Sequence, residues 1–418
     1  MNEKSQPGLF IGIDWADQKH DIYAIDRNGK GFHRELKHSA ENIDAWVGEM
    51  LKLAGGRPIA IMLEQSRGAL IYALMFREDV LLYPVNPKQS ARYRESYPGG
   101  GKDDPTDAMY LARMLRERIT TLTAWQPDDE NTRLLAQLSQ QRRKIVDGQT
   151  KLRQQLTALL KSYFPVVLEL FGKDHQLPLL LSMLGRWTDP RTLRRADRQL
   201  IRRVLSEHTI RNEQQQNAII DRIRSAQLLS RDEALILPSA MAVKLLVKQI
   251  QDARKTIRQF DDKIAEVMKQ HPDAHLFTSL RGAGASLAPR LLCAFGSQKD
   301  RWEDADSLAA FSGIAPVTRK SGKSCQVHRR YACPKFLRQT FHEFADSARM
   351  FCPWTKARYR MLRDRGIKHH AALRKLARSW IRILFRVWQT GIPFDCDRYI
   401  AQLKQRCPDI TRYLAQEN

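Results

Sequence analysis

Three things are in short supply in this 418-residue chain, and each shortage excludes something. Cysteine comes first: the six residues, Cys293, Cys325, Cys333, Cys352, Cys396 and Cys407, all fall in the last third, and none forms a CxxC pair. That pattern argues against a disulfide-stapled secreted framework and for the reduced thiols of a cytosolic protein. Long apolar runs are missing too. None approaches the roughly 20 residues that span a bilayer. The opening MNEKSQPGLF also lacks the apolar stretch of a secretory signal, so no membrane partner is expected. Acids are the third shortage, with 46 Asp and Glu against 70 Lys and Arg and a formal charge of +24. Such an excess points to a polyanionic partner and to a cytoplasmic, nucleoid-associated protein. The length suits two or three domains, each with its own core.

The acids that are present recur where apolar runs end. Leu9-Phe10-Ile11-Gly12-Ile13-Asp14 reads as a buried strand closing on a carboxylate. Two further runs, His20 to Asp26 and Gly31 to Leu36, are joined across Asn28-Gly29 and read as a hairpin. A helix over Ala40 to Leu53 ends at Gly55-Gly56. Pro58 to Glu64 is another buried strand closing on an acid, followed by a helix over Leu70 to Phe76, a strand over Val80 to Val85 and a helix over Asp104 to Arg118. The order βββαβαβα is the pattern of the ribonuclease-H-like fold. Before the last helix stands a glycine-rich loop, Pro98 to Asp103, and Pro105 suits the first turn that follows. Asp104 and Asp107, three apart, share one helix face. Acids also favour helix N-termini for dipole reasons alone. With Asp14 and Glu64 on neighbouring strands, the set reads as a four-carboxylate site. Gathered carboxylates repel unless cations neutralise them, and oxygen ligands of this kind suit Mg²⁺ or Mn²⁺, as in phosphoryl transfer.

The middle of the chain is helical. Leu138, Ile145, Leu152 and Leu159 stand a heptad apart, as do Val243, Ile250, Ile257 and Ile264, with Leu246, Ala253, Phe260 and Val267 as a second column. Sustained heptads predict long coiled-coil helices, folded back or between protomers. The basic insert over 176–239, with Arg191, Arg194, Arg195, Arg198, Arg202 and Arg203, is either a nucleic-acid contact or a solvated helix face. Further on, Leu280-Arg281-Gly282-Ala283-Gly284 before an apolar helix is either a helix-hairpin-helix-like element, whose amides approach a phosphate, or a tight interhelical turn. Between Ile314 and Thr340 lie seven basic residues and no acid: Arg319, Lys320, Lys323, Arg329, Arg330, Lys335 and Arg338. They are the candidate nucleic-acid contacts. A serine hydroxyl among fixed cations is suited to attack a phosphate whose charge they stabilise.

In this order, GIDWAD, MLEQS, KDDPTDA, LRGAGASLA, FSGIAPVTRKSGKS and FLRQTFHEFA resemble the motifs of the DEDD transposases of bacterial insertion sequences. That family includes Piv-type DNA invertases and recombinases guided by a bridge RNA. The resemblance implies a RuvC-like catalytic domain over 1–125, a helical coiled-coil linker with a basic insert over 126–272, and a mainly helical transposase domain over 273–418. It implies that Asp14, Glu64, Asp104 and Asp107 bind divalent metal, and that Ser321 attacks the scissile phosphate to form a serine–DNA intermediate. Ser312 and Ser324 are the competing serines. A structured guide RNA and a homo-oligomer, dimer or tetramer, would be the further partners. Asp103 beside Asp104 and Trp15 after Asp14 depart from the pattern. Two other functions fit the residues: a RuvC-like metal-dependent nuclease or junction resolvase using water, and a non-catalytic nucleic-acid-binding scaffold.

Overall fold

The computed structural model describes residues 6–64, 68–97, 104–322 and 324–415. They form two compact units, 1–128 and 129–418. In the first, β1 (Leu9–Asp14), β2 (Lys19–Asp26) and β3 (Gly31–Lys37) form a meander, with Gly29 at φ +90° in the turn between the last two. Then come α1 (Ala40–Leu53), β4 (Ile59–Leu63), α2 (Ala69–Leu74), β5 (Val80–Pro84), α3 (Pro87–Glu95) and α4 (Asp104–Arg118). The sheet order is β3-β2-β1-β4-β5, with β4 parallel to both β1 and β5. The predicted βββαβαβα order is present, with α3 added.

Strands β1 and β4 are covered on both faces, which is why their sequences are apolar without interruption. Alternate residues feed two cores. Leu9, Ile11 and Ile13 pack with Trp46 and Val47 of α1 and Leu70 of α2, whereas Phe10 packs with Tyr110 and Leu111 of α4. Gly12 lies on the α4 face, and a Cβ there would overlap the Ala108 carbonyl and the Ala112 amide. Only glycine lets the helix backbone approach this closely.

In the second unit, α5 (Glu130–Tyr163) packs along α11 (Glu233–Gln270). The two run antiparallel. Leu135 shares a core with Ile264 and Val267, while Leu156 and Leu160 share one with Val243, Val247 and Ile250. Val243, Ile250 and Ile264 of the predicted heptad column are buried, and the column on α5 is half-buried. Between the long helices, α6 (Pro165–Phe171), α7 (Leu177–Arg186), α8 (Pro190–Arg195), α9 (Arg198–Glu207) and α10 (Glu213–Ser225) close the second of these cores. Several arginines of this insert are tied down: Arg191 to Asp189 and Glu233, Arg198 to Asp221, and Arg202 to Asn217.

After α11 come α12 (Ala274–Thr278), α13 (Gly284–Phe295) and α14 (Ala305–Phe311). A hairpin of β6 (Val317–Ser321) and β7 (Ser324–His328) follows, and then α15 (Lys335–Phe351), α16 (Pro353–Asp364), α17 (His369–Thr390), α18 (Cys396–Arg406) and α19 (Ile410–Ala415). This part is organised on α17, whose Trp380 and Trp388 are buried against Phe344 and Phe295 respectively. Gly282 and Gly284 have φ of +91° and +54°, and Gly282 lies against the α15 backbone at Ala348. The glycine pair therefore makes the tight turn between α12 and α13. Among the described residues, no helix is long and apolar enough to cross a membrane.

Candidate active site

The parallel pairing of β1 with β4 puts Ile13 opposite Leu63, so Asp14 and Glu64 leave the sheet side by side at its carboxyl edge. Open α/β sheets place their ligands at this edge. Asp14 follows Gly12 by two residues and shares its α4 face. The helix held against Gly12 begins with Asp104 and Asp107, whose next turn carries Ala108 and Leu111 into the core. One glycine thus brings the third and fourth acids to the first two. Asp21, paired with Asp14 across the β1–β2 ladder, is a further carboxylate that sequence reasoning missed.

The electrostatic consequence falls on Asp14, which is held at about 6, far above an ordinary aspartate. Partial burial is the largest cause, followed by the charges of Asp104, Asp107, Glu64 and Asp21. Asp21 meets His33 Nε2 at 2.9 Å, and two of the other acids have partners from α3. Ser90 donates to a Glu64 carboxylate oxygen, and the Arg94 guanidinium pairs with Asp107. Neither residue was predicted, since PKQSARYRE buries only Ser90 and Tyr93 and so has no apolar stripe. The available signal was Asn86-Pro87, an N-cap followed by proline in the first turn. The loop after β1 is also fixed: the Ala16 amide donates to His20 Nδ1 at 3.2 Å, and His20 Nε2 meets His38 Nδ1 at 2.9 Å.

The donor set fits a hard divalent cation by type, being all carboxylate oxygen around an acid already raised by its neighbours. Among the described residues, no three His, Cys, Asp or Glu side chains are close enough to hold an ion as they stand. Ser90 and Arg94 engage two of the acids instead.

The candidate serines separate in the second unit. Ser312 follows α14, is fully buried, and donates its hydroxyl to the Ala309 carbonyl at 3.3 Å. Ser321 and Ser324 are exposed and form the last pair of the β6–β7 hairpin. Arg319 and Lys320 precede Ser321 on the same exposed strand. Arg329 and Lys335 are exposed, and Arg330 is half-buried. Arg338 is half-buried with Nη1 donating to Cys333 Sγ at 3.4 Å. Lys323 lies outside the described residues, as does the segment Pro98 to Asp103 with its glycines.

Comparison with known proteins gives the class. A transposase model of the DEDD, IS110 type matches residues 11–165, and a model described as "Transposase IS116/IS110/IS902 family" matches residues 274–360. The chain belongs to this family of insertion-sequence transposases, enzymes that cut and rejoin DNA. It is similar to the mini-circle putative transposase for IS117 of Streptomyces coelicolor, at 27% identity over 416 residues, 95% of this chain and 98% of that one. It is also similar to the 43.6 kDa protein of insertion element IS110 from the same organism, at 25% over 406 residues, covering 94% and 97%. A third relative is the 42 kDa protein of insertion element IS900 from Mycobacterium paratuberculosis, at 26% over 395 residues, covering 91% and 95%.

Proposed function

We propose that this transposase works with two chemical centres, the carboxylates Asp14, Glu64, Asp104 and Asp107 and the hydroxyl of Ser321. The observation that carries the reading is the position of Asp14, raised by partial burial and then by three other members of the set, at the end of a strand that Gly12 packs against α4. A divalent cation, Mg²⁺ or Mn²⁺, would be held by these four acids and would supply charge stabilisation at a phosphoryl oxygen. The chain's own part is to hold the four carboxylates together, with Ser90 and Arg94 releasing Glu64 and Asp107.

In this reading the Ser321 hydroxyl attacks the scissile phosphorus. A serine–phosphodiester bond forms, the bond to the departing strand end breaks, and that end leaves as a hydroxyl with the serine's proton. Attack by a strand hydroxyl reverses the step and rejoins DNA. Exposure of Ser321 beside Arg319 and Lys320 supports it as the nucleophile, and burial of Ser312 argues against that residue. The seven basic residues of 314–340 would hold backbone phosphate. We read the chain as three domains, a RuvC-like 1–125, a coiled-coil linker 126–272 and a transposase domain 273–418, acting as a homo-oligomer with a structured guide RNA.

The test is covalent capture on DNA carrying the parent element's junction and target, with Mg²⁺ and co-transcribed flanking RNA. The wild-type chain is expected to give a denaturant-resistant adduct, and Ser321→Ala none. Metal-dependent cleavage that persists in Ser321→Ala without an adduct would make the protein a nuclease using water, and an adduct that survives the substitution would move the nucleophile to Ser324.

A further inference from the structure

Away from the carboxylates and the serine hairpin, a small cleft opens among α5, α11 and α13. Ser139, Arg142, Arg143, Asp261, Ile264, Ala285, Ser286 and Arg290 line it. Its floor is unusual for an interior: the Arg290 side chain is only 6% exposed, and Ser139 is buried as well. Arg290 Nε donates to Thr340 Oγ1 at 3.1 Å and Nη1 to Glu343 at 2.6 Å. Arg142 makes a two-pronged pair with Asp261 at 2.5 and 3.1 Å. Arg143 reaches Glu343 at 3.3 Å and the exposed Asp147 at 2.7 Å.

Three buried polar atoms of these side chains, Ser139 Oγ, Arg143 Nε and Arg290 Nη2, have no hydrogen-bond partner among the described residues. Leaving such donors unsatisfied is costly, the more so for guanidinium nitrogens. Burial lowers the proton affinity of Arg290, Glu343 works against that, and Arg143 and Arg142 add to the lowering. The fourth wall is Ala285 and Ser286 in the first turn of α13, where amide donors and the positive end of the helix dipole gather. Asp261 and Glu343 already pair with Arg142 and Arg290, and the unpaired donors that remain suit a small anion rich in acceptors.

We propose that this cleft binds one phosphate-class oxyanion, held by Arg142, Arg143, Arg290 and Ser139 against the N-terminus of α13. A tetrahedral oxyanion accepts from several directions at once, which suits donors arriving from two helices, α5 and α13. The cleft takes a single phosphate and not a whole nucleotide. Two sources share that chemistry, a phosphodiester of a nucleic-acid strand and free inorganic phosphate. Only the first rests on the function proposed above.

The test uses the full chain. Thermal unfolding is followed in sodium phosphate and in sodium chloride at matched ionic strength, for wild type, Ser139→Ala and Arg143→Gln. A saturable, phosphate-specific rise in midpoint is expected for wild type. Ser139→Ala, which loses no existing partner and so keeps the fold, should weaken the apparent phosphate affinity by about three- to tenfold, and Arg143→Gln by more than about tenfold. Absence of the rise in wild type, as for a cleft that holds only water, overturns the proposal. So does an unchanged response in both variants. The second arm measures binding of a DNA duplex at constant ionic strength. Weaker DNA binding in the variants, with competition by inorganic phosphate, assigns the site to a strand phosphate. Unchanged DNA binding with lost phosphate response assigns it to free phosphate.

Discussion

The carboxylate centre and the serine hairpin are built on opposite plans. Asp14, Glu64, Asp104 and Asp107 stand on the ends of buried strands and on a helix that Gly12 draws against the sheet, so their spacing follows from the packing of a core. Ser321 stands on a two-stranded hairpin whose described strand residues are exposed from Thr318 onward, outside the hydrophobic clusters. The first region gathers acids whose charges help raise Asp14, and the core sets where they stand. The second has no core to fix it, and in the function proposed above contact with DNA would have to complete it. Substitutions in the two regions should therefore separate stability from activity.

The largest effect is expected from Gly12→Val, whose side chain has no room against the backbone of α4. Destabilisation of at least about 3 kcal/mol is expected, read as loss of cooperative unfolding of residues 1–128 in a denaturant titration. A well-folded Gly12→Val would mean that α4 is not locked to β1. Ser321→Ala is the counterpart in the other region: the covalent adduct disappears while stability stays within about 0.5 kcal/mol of wild type, as for other exposed sites. A large change in its unfolding midpoint would end the contrast.

Asp14→Asn gives a smaller and pH-dependent effect. Because the folded carboxyl titrates at about 6 and the unfolded one near 4, the native state binds the extra proton between those values. Wild-type stability therefore falls as pH rises through that window, and the penalty is complete above about 7. With discounting for its half-exposed position, Asp14→Asn should be more stable than wild type by about 1–2 kcal/mol at pH 8 and equal to it near pH 4. Chemical unfolding at the two pH values checks this, and a variant less stable at pH 8 would show that the acids are not in mutual repulsion. The smallest effect belongs to the double substitution Arg319→Ala with Lys320→Ala. It should leave folding unchanged and flatten the slope of log DNA affinity against log salt by about 2. An unchanged slope would remove these two side chains from the DNA contact.

The same division explains what was legible in the residues. Strands β1, β4 and β5 announce themselves as apolar runs, β2 and β3 by their Asn-Gly turn, and α4 by its apolar face behind Asp104 and Asp107, so the acid set emerged from pattern. Gly12 was read only as part of an apolar strand, because the need for a missing side chain arises from a helix that stands about 100 residues later. Ser90 and Arg94 were invisible since α3 rides on the surface and owes its ends to local capping. The β6–β7 hairpin was not predicted for a related reason: VTRKS and SCQVH lack the apolar alternation that marks a half-buried strand. The arginines of the helical insert were legible in type and not in role, since an ion pair such as Arg198 with Asp221 joins residues on different helices.

The antiparallel course of α5 and α11 also governs the order in which the protein is made. Thr132 and Leu135, near the start of α5, belong to the core of the last third of the chain, through the 2.8 Å hydrogen bond of Thr132 Oγ1 to His271 Nε2 and the packing of Leu135 with Ile264 and Leu276. During synthesis the first unit has all its strands in hand by residue 84 and all its helices by residue 118. The apolar stripe at the base of α5, by contrast, stays uncovered until more than a hundred further residues have left the ribosome. At typical elongation rates of about 5–20 residues per second, that wait lasts on the order of ten seconds. It is the interval in which a nascent chain of this design is most exposed to chaperones and to pairing with its neighbours on the same message.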